Sequence, residues 1–306
     1  VTLAVLLSGQ GGQHAGMFDL TADHPEAQPI FAAAGPLLGA DPRAVAHTGG
    51  PRLHENRTGQ ILVCVAGLAA WTIVQRARPA RVVVAGYSIG DLAAWGCAGR
   101  FAPETVLRLA AARAEAMDAA AAPGHGLAGI RGLAVSRIDA MARARGCHLA
   151  ILNAPDSVVV GGERAILEGL CAEALAAGAQ RAVLLPVHTP SHTPLLAEAT
   201  ERFRASLAEA PTLRPRGGAR LLSGLDGAPV FDAEAGVEKL ALQISRRIDW
   251  AACLEAARED GADAVLELGP GHALATMARA ALPDARVHAI EDFRSVAGVT
   301  DWLGEA

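Results

Sequence analysis

Apolar and polar positions along the chain change period in a regular order. Residues 1–7 form a continuous apolar run, the pattern of a buried strand. Residues 27–38 read as helix. A polar stretch, 41–58, precedes a stronger helix over 60–77, where Ile61, Val65, Leu68, Ala69 and Thr72 recur at helical spacing before Pro79 ends it. The run Arg81 to Ala85 is again apolar and β-branched, and an Ala/Leu-rich helical segment follows Gly90. Another helix is predicted over 104–122, with Pro103 at its start, where proline is tolerated.

A different rhythm begins at Pro123-Gly124-His125-Gly126. Strand 127–135, helix 137–145, strands 149–153 and 158–160, helix 165–177 and strand 181–187 make a β-α-β-β-α-β unit, the split βαβ pattern of a ferredoxin-like subdomain. Past the turn at 188–194 the chain returns to the first rhythm. Helices are predicted over 195–207, 237–245 and 251–260 and from 273, with strands at 221–223 and 264–268. The expected fold is α/β: a hydrolase-like large subdomain, 1–123 and 189–306, built on a mostly parallel sheet, with a ferredoxin-like small subdomain, 124–188, inserted in it.

Composition narrows the function classes. The net charge of −5, with Lys239 the only lysine, argues against nucleic acid as a partner. Five cysteines, Cys64, Cys97, Cys147, Cys171 and Cys253, show no Cys-x-x-Cys spacing, so free thiols in a reducing, cytoplasmic setting are expected. Residues 1–7 lack a basic leader, and no apolar run approaches the ~20 residues of a membrane span, so neither a signal peptide nor a membrane partner is expected. No metal site is expected.

The candidate chemistry sits where the run at 81–85 ends. Gly86-Tyr87-Ser88-Ile89-Gly90 is Gly-x-Ser-x-Gly between a strand and a helix, the context of a nucleophile elbow. Ser88 is the candidate nucleophile, and the helix after it points N–H groups at any anion formed there. Ser8-Gly9-Gln10-Gly11-Gly12-Gln13 is a second glycine-dense turn. It lacks the Gly-Lys-Ser/Thr ending of a phosphate loop and on its own reads as a plain strand–helix turn. A serine needs a base, and His192 and His272 each lie in a Pro/Gly-bounded turn; spacing alone does not choose between them. Arg113, on a mostly alanine helix, reads by composition as a solvated surface group.

These motifs, taken in order, resemble the malonyl-CoA:acyl carrier protein transacylase family over nearly the whole chain. The resemblance is carried by Gly9-Gln10-Gly11-Gly12-Gln13, Gly86 to Gly90 with Asp91, Arg113, Asn153-Ala154-Pro155, the strand from Val158 to Gly162, Pro190-Ser191-His192, Gln243 ahead of Trp250, and Gly269-Pro270-Gly271. It implies that His192 deprotonates Ser88 and is held by the backbone carbonyl of Gln243 in place of a carboxylate. It also implies an oxyanion hole from the N–H groups of Gln10 and Ile89, and an Arg113 that grips the free malonyl carboxylate. Asn153, Ser191 and Tyr87 are supporting residues in this reading. Malonyl-CoA is expected as substrate, no cofactor as permanently bound, and an acyl carrier protein as acceptor. Tyr87 before the nucleophile and Leu7-Ser8 before the glycine loop are most similar to the epsilon subunit of malonate decarboxylase, whose carrier subunit would then be the partner. A transacylase of fatty-acid or polyketide synthesis is the alternative. An α/β-hydrolase esterase, with His272 or His288 as base, is the more distant one. A module that only docks a carrier would need none of Ser88, His192, Arg113 and Gln10.

Overall fold

The N-terminal apolar run forms β1 (Thr2–Leu7), every residue of which is buried. The computed structural model describes residues 1–215 and 219–305. After β1 come helices α1 (Gln28–Leu38), α2 (Pro42–Thr48) and α3 (Asn56–Ala77), then β2 (Arg81–Gly86), α4 (Gly90–Cys97) and α5 (Pro103–Ala120). The polar stretch at 41–58 thus contains a helix, α2, opened by Asp41, whose side chain accepts from Arg43 N–H. By length and composition α3 could cross a membrane, which corrects the reading that no apolar run is long enough. Its most apolar window is 94% buried inside the fold.

The small subdomain follows as β3 (His125–Arg131), α6 (Val135–Arg143), β4 (His148–Ala154), β5 (Ser157–Glu163), α7 (Arg164–Ala176) and β6 (Arg181–Leu184). Two strands are shorter than the apolar pattern suggests: β3 stops at Arg131 because Gly132 turns with φ +94°, and β6 stops at Leu184. The chain then runs through α8 (Ala197–Ala208), β7 (Ala219–Leu221), α9 (Ala233–Leu242), β8 (Ile248–Asp249), α10 (Trp250–Glu259), β9 (Ala264–Leu268), α11 (Ala273–Ala281), β10 (Arg286–Ala289) and α12 (Val296–Gly304). β10 has no counterpart among the predicted strands.

Two five-stranded sheets result. The large sheet, in the order β10-β9-β1-β2-β7, is parallel throughout. Alternate residues of its strands face opposite ways: Leu3, Val5, Leu7, Val82 and Val84 pack with α3 and α4, while Ala4, Leu6, Val83 and Ala85 pack with Trp250 and Leu274. The small sheet, β6-β3-β5-β4-β8, has the ferredoxin-like order in its first four strands, and β8 pairs parallel with β4 as a fifth. The face of the small sheet away from α6 and α7 presents Leu127, Ile151 and Val159, which share a core with the large subdomain. The loops after β1, β2 and β9 leave the large sheet side by side, since Leu7 pairs with both Gly86 and Leu268. Open parallel sheets place ligands at this carboxyl end.

Candidate active site

The turn after β2 is tight enough to force its own geometry. Ser88 has φ +56°, a conformation that costs a non-glycine residue about 1–3 kcal/mol. Gly90 N–H donates to Tyr87 O at 3.0 Å and Asp91 N–H to Ser88 O at 3.0 Å, which closes the elbow. A Cβ on Gly86 would lie 2.2 Å from the Gly90 carbonyl, and one on Gly90 2.2 Å from the Leu7 carbonyl oxygen. Only glycine lets β1, β2 and α4 meet there. The N–H groups of Ile89 and Gln10 donate to no protein acceptor among the described residues, so both are available to an oxyanion.

His192 reaches this serine from the turn after the small subdomain. It too is left-handed, with φ +64°, and its N–H donates to Ile244 O at 2.7 Å. Nδ1 lies 2.6 Å from the backbone oxygen of Gln243, which can only accept. Nδ1 therefore carries the proton, and Nε2 is left to accept from Ser88 Oγ at 2.8 Å. Burial, and then the positive charge of Arg113, push the imidazole down to about 3 against the opposing pull of the Gln243 carbonyl. At neutral pH the ring is a free base. Ser191 beside it is buried and within 3.0 Å of the Thr189 hydroxyl.

Arg113 is 1% exposed, so the surface reading from composition is wrong. Its Nη1 donates to Gln60 Oε1 at 2.8 Å and its Nη2 to Gln243 Oε1 at 3.2 Å. Burial lowers its pKa to about 10, which leaves it protonated at neutral pH. With two neutral amides as its partners, this buried guanidinium keeps donors to spare and lacks a contacting counter-charge among the described residues. The Gln243 amide in turn donates from Nε2 to Asp91 Oδ2 at 2.9 Å.

Ser88, His192, Ser191, Gln10 and Asn153 line one cleft of about 470 Å³, floored by the face of the small sheet away from α6 and α7. Tyr87 donates its hydroxyl to Asn153 Oδ1 at 3.1 Å and stands edge-on to Trp250 at 5.3 Å. His272 lines the same cleft, but its Nε2 lies 3.1 Å from Asp292, and the His288 ring lies 3.2 Å from that carboxylate. Ser88 is bonded to neither, so the late-histidine order of an esterase is not formed.

A family model described as an acyl transferase domain matches residues 5–296. The chain belongs to this acyl transferase family. It is 30% identical over 289 residues to the malonyl CoA-acyl carrier protein transacylase of Salmonella typhimurium, covering 89% of this chain and 90% of the relative. Among solved structures it is similar to the acyl-carrier-protein S-malonyltransferase of Burkholderia pseudomallei, with a TM-score of 0.91, 28% identity, and coverage of 98% and 100%. A type II PKS acyl-carrier protein in complex with its malonyl-transacylase gives 0.91 at 27% identity, covering 98% of this chain and 99% of that one.

Three residues around this acyl transferase's site have interactions that the sequence does not signal. Gln60 lies in the interior of α3, and nothing in an apolar helix marks one glutamine as a partner for Arg113. Asp91 was noted only as the acidic residue after the elbow; its bond to Gln243, 152 positions away, has no local signature. Ser8 is a third case. Its hydroxyl donates to the buried Glu267 at 2.8 Å and ties the glycine loop to β9.

Proposed function

We propose that this acyl transferase is a malonyl-CoA:acyl carrier protein S-malonyltransferase. The observation that carries the reading is the hydrogen-bonded continuity of Ser88, His192, Gln243 and Arg113, a half-buried nucleophile and a buried base joined through one glutamine to an unneutralised guanidinium. Nε2 of His192 takes the Ser88 proton as Oγ attacks the thioester carbonyl of malonyl-CoA. The resulting oxyanion accepts from the N–H groups of Ile89 and Gln10, each donor contributing about 3 kcal/mol. The tetrahedral centre collapses, the C–S bond breaks, and the coenzyme A thiolate takes the proton from His192. The carrier thiol then gives its proton to the same nitrogen and attacks the malonyl-serine ester, and Ser88 leaves with that proton. The Arg113 fork suits the free malonyl carboxylate, which supplies the counter-charge the guanidinium lacks.

Between the two kinds of carrier, the named relatives support the fatty-acid or polyketide type over the malonate decarboxylase subunit suggested by Tyr87. Tyr87 also has a structural role of its own in this fold, bonding Asn153 and packing on Trp250. Incubation with malonyl-CoA is expected to add one malonyl group to the intact protein and none to Ser88→Ala. The malonyl-enzyme is then offered a fatty-acid-type carrier and a decarboxylase-type carrier side by side. Faster discharge to the decarboxylase carrier would reverse the assignment, and no acylation of Ser88 would overturn the activity.

A further inference from the structure

A buried hydrogen-bond path leads from the reacting side chains to Asp91, which no step of the reaction uses. Asp91 lies on the first turn of α4 and is 1% exposed. Its Oδ2 accepts twice, from Gln243 Nε2 at 2.9 Å and from Gly224 N–H at 3.0 Å, while Oδ1 has no partner among the described residues. Gln243 is the junction. Its backbone oxygen holds the His192 ring, and its amide oxygen receives Arg113.

The two ends of a glutamine amide have nearly the same shape and opposite roles. An ionised carboxylate only accepts and a guanidinium only donates. With Asp91 on one side and Arg113 on the other, one orientation satisfies both: NH₂ toward Asp91, oxygen toward Arg113. Turned over, the amide would set N–H against N–H and oxygen against oxygen in a site closed to water.

We propose that Asp91 is a positioning residue: by accepting from Gln243 Nε2 it fixes that amide with its oxygen on the Arg113 fork, and so sets the preference for acyl groups that bear a free carboxylate. The inference rests on the malonyl-transfer reading and adds a residue to it. The free Oδ1 fits this role. Burial raises Asp91 to about 7, against the opposing effects of Gly224 N–H, Arg113 and Gln243. A proton placed on Oδ1 leaves Oδ2 accepting from both partners, so the amide stays oriented in either charge state. Of the other titratable groups around this pair, Asp226 before α9 acts on Asp91 through charge, while Cys253 on α10 and Cys64 on α3 beside Arg113 are thiols that burial keeps protonated; among the described residues none of the three hydrogen-bonds to Gln243. A purely structural Asp91 that only ties α4 to Gly224 is the competing account.

Acylation of Ser88 by malonyl-CoA and by acetyl-CoA, followed in rapid-mixing experiments on the full chain, separates them. Asp91→Ala is expected to lower the malonyl-to-acetyl ratio of kcat/KM about tenfold or more, chiefly through malonyl KM. Asp91→Asn is expected to recover most of the ratio, because its side-chain oxygen can accept from Gly224 and Gln243 alike. Gln243→Leu keeps the backbone carbonyl on His192 and removes the amide; it is expected to reproduce the malonyl-specific loss and stands in should Asp91→Ala not fold. Parallel losses for both acyl groups in Asp91→Ala and Gln243→Leu overturn the proposal, as does Asp91→Asn behaving like Asp91→Ala. Arg113→Ala is the internal control: an unchanged ratio there rejects the carboxylate clamp itself, a failure of the malonyl reading that is separate from failure at Asp91.

Discussion

Burial of the catalytic imidazole has a direct consequence for its titration. His192 is pushed down to about 3, so it stays a free base through the range where an ordinary histidine near 6.5 would protonate. The acid limb of Ser88 acylation is therefore expected well below pH 6.5, as read from single-turnover rates against pH; a limb at 6.5 would mean that the ring is hydrated in solution. Asp91 titrates in the opposite sense. A carboxyl raised in the fold adds stability below its unfolded value near 3.8 and loses that contribution as the pH climbs through about 7. Asp91→Asn should accordingly raise Tm more at pH 8 than at pH 5. Arg113→Ala is expected to cost malonyl transfer about tenfold to a hundredfold, the worth of charged hydrogen bonds in a dry site, and acetyl transfer much less. Arg113 also shows where sequence stops being informative. Burial is decided by what packs over a residue, here α3 and the Gln243 turn, and an alanine-rich helix looks alike on both faces. Only the ordered resemblance singled it out, whereas Ser88 was legible from its own strand, glycines and helix.

Elements were read more reliably than their ends. β1, β2, β9 and the long helix α3 emerge from simple periodicity, because a parallel strand buried on both faces carries few polar positions to interrupt its apolar run, Glu267 of β9 being one. The small subdomain has the predicted order, but its strand ends differ: the predicted strands 127–135 and 181–187 overrun β3 and β6, the first past the glycine turn at Gly132, and the predicted 158–160 falls short of β5, whose ends carry Ser157, Gly161, Gly162 and Glu163. The two-residue β8 is too short to leave a period at all. At this scale the elbow makes the sharpest prediction. Gly90→Ala drives a methyl to 2.2 Å from Leu7 O and 2.6 Å from Ser8 O, both backbone atoms without freedom to retreat. The variant is expected to lose about 1–3 kcal/mol or more in denaturant unfolding. Its acylation rate should fall further than stability alone explains, since the Ile89 N–H moves with the turn. Wild-type rates in a folded Gly90→Ala protein would show that the oxyanion does not depend on this turn.

The two subdomains together give the cleft a polarity along its length. Leu127, Gly129 and Arg131 alternate along β3 on the face that floors the cleft, beside Leu185, Val183 and Arg181. Leu127 O receives Leu185 N–H at the inner end, and Arg131 pairs with Arg181 four residues further along β3. At about 3.4 Å per residue the backbone positions of this arginine pair stand roughly 14 Å of strand beyond Leu127. An uncharged thioester arm can lie on the apolar part, and the arginine pair sits where an acidic carrier would meet the rim. Both arginines are exposed, and the −5 net charge of the chain makes a local positive pair the feature a negative partner can find. Replacing both with glutamate, Arg131→Glu with Arg181→Glu, leaves Ser88, His192 and Arg113 untouched. It is expected to raise KM for the carrier about tenfold at low salt while the acylation half-reaction with malonyl-CoA changes much less. Rim charges act mainly on association, so the difference between wild type and variant should shrink as ionic strength rises and the Debye length falls below about 10 Å. Equal carrier KM values at low salt would place the docking surface on another face of the molecule, and a matching loss in the malonyl-CoA half-reaction would assign the pair to the phosphates of coenzyme A.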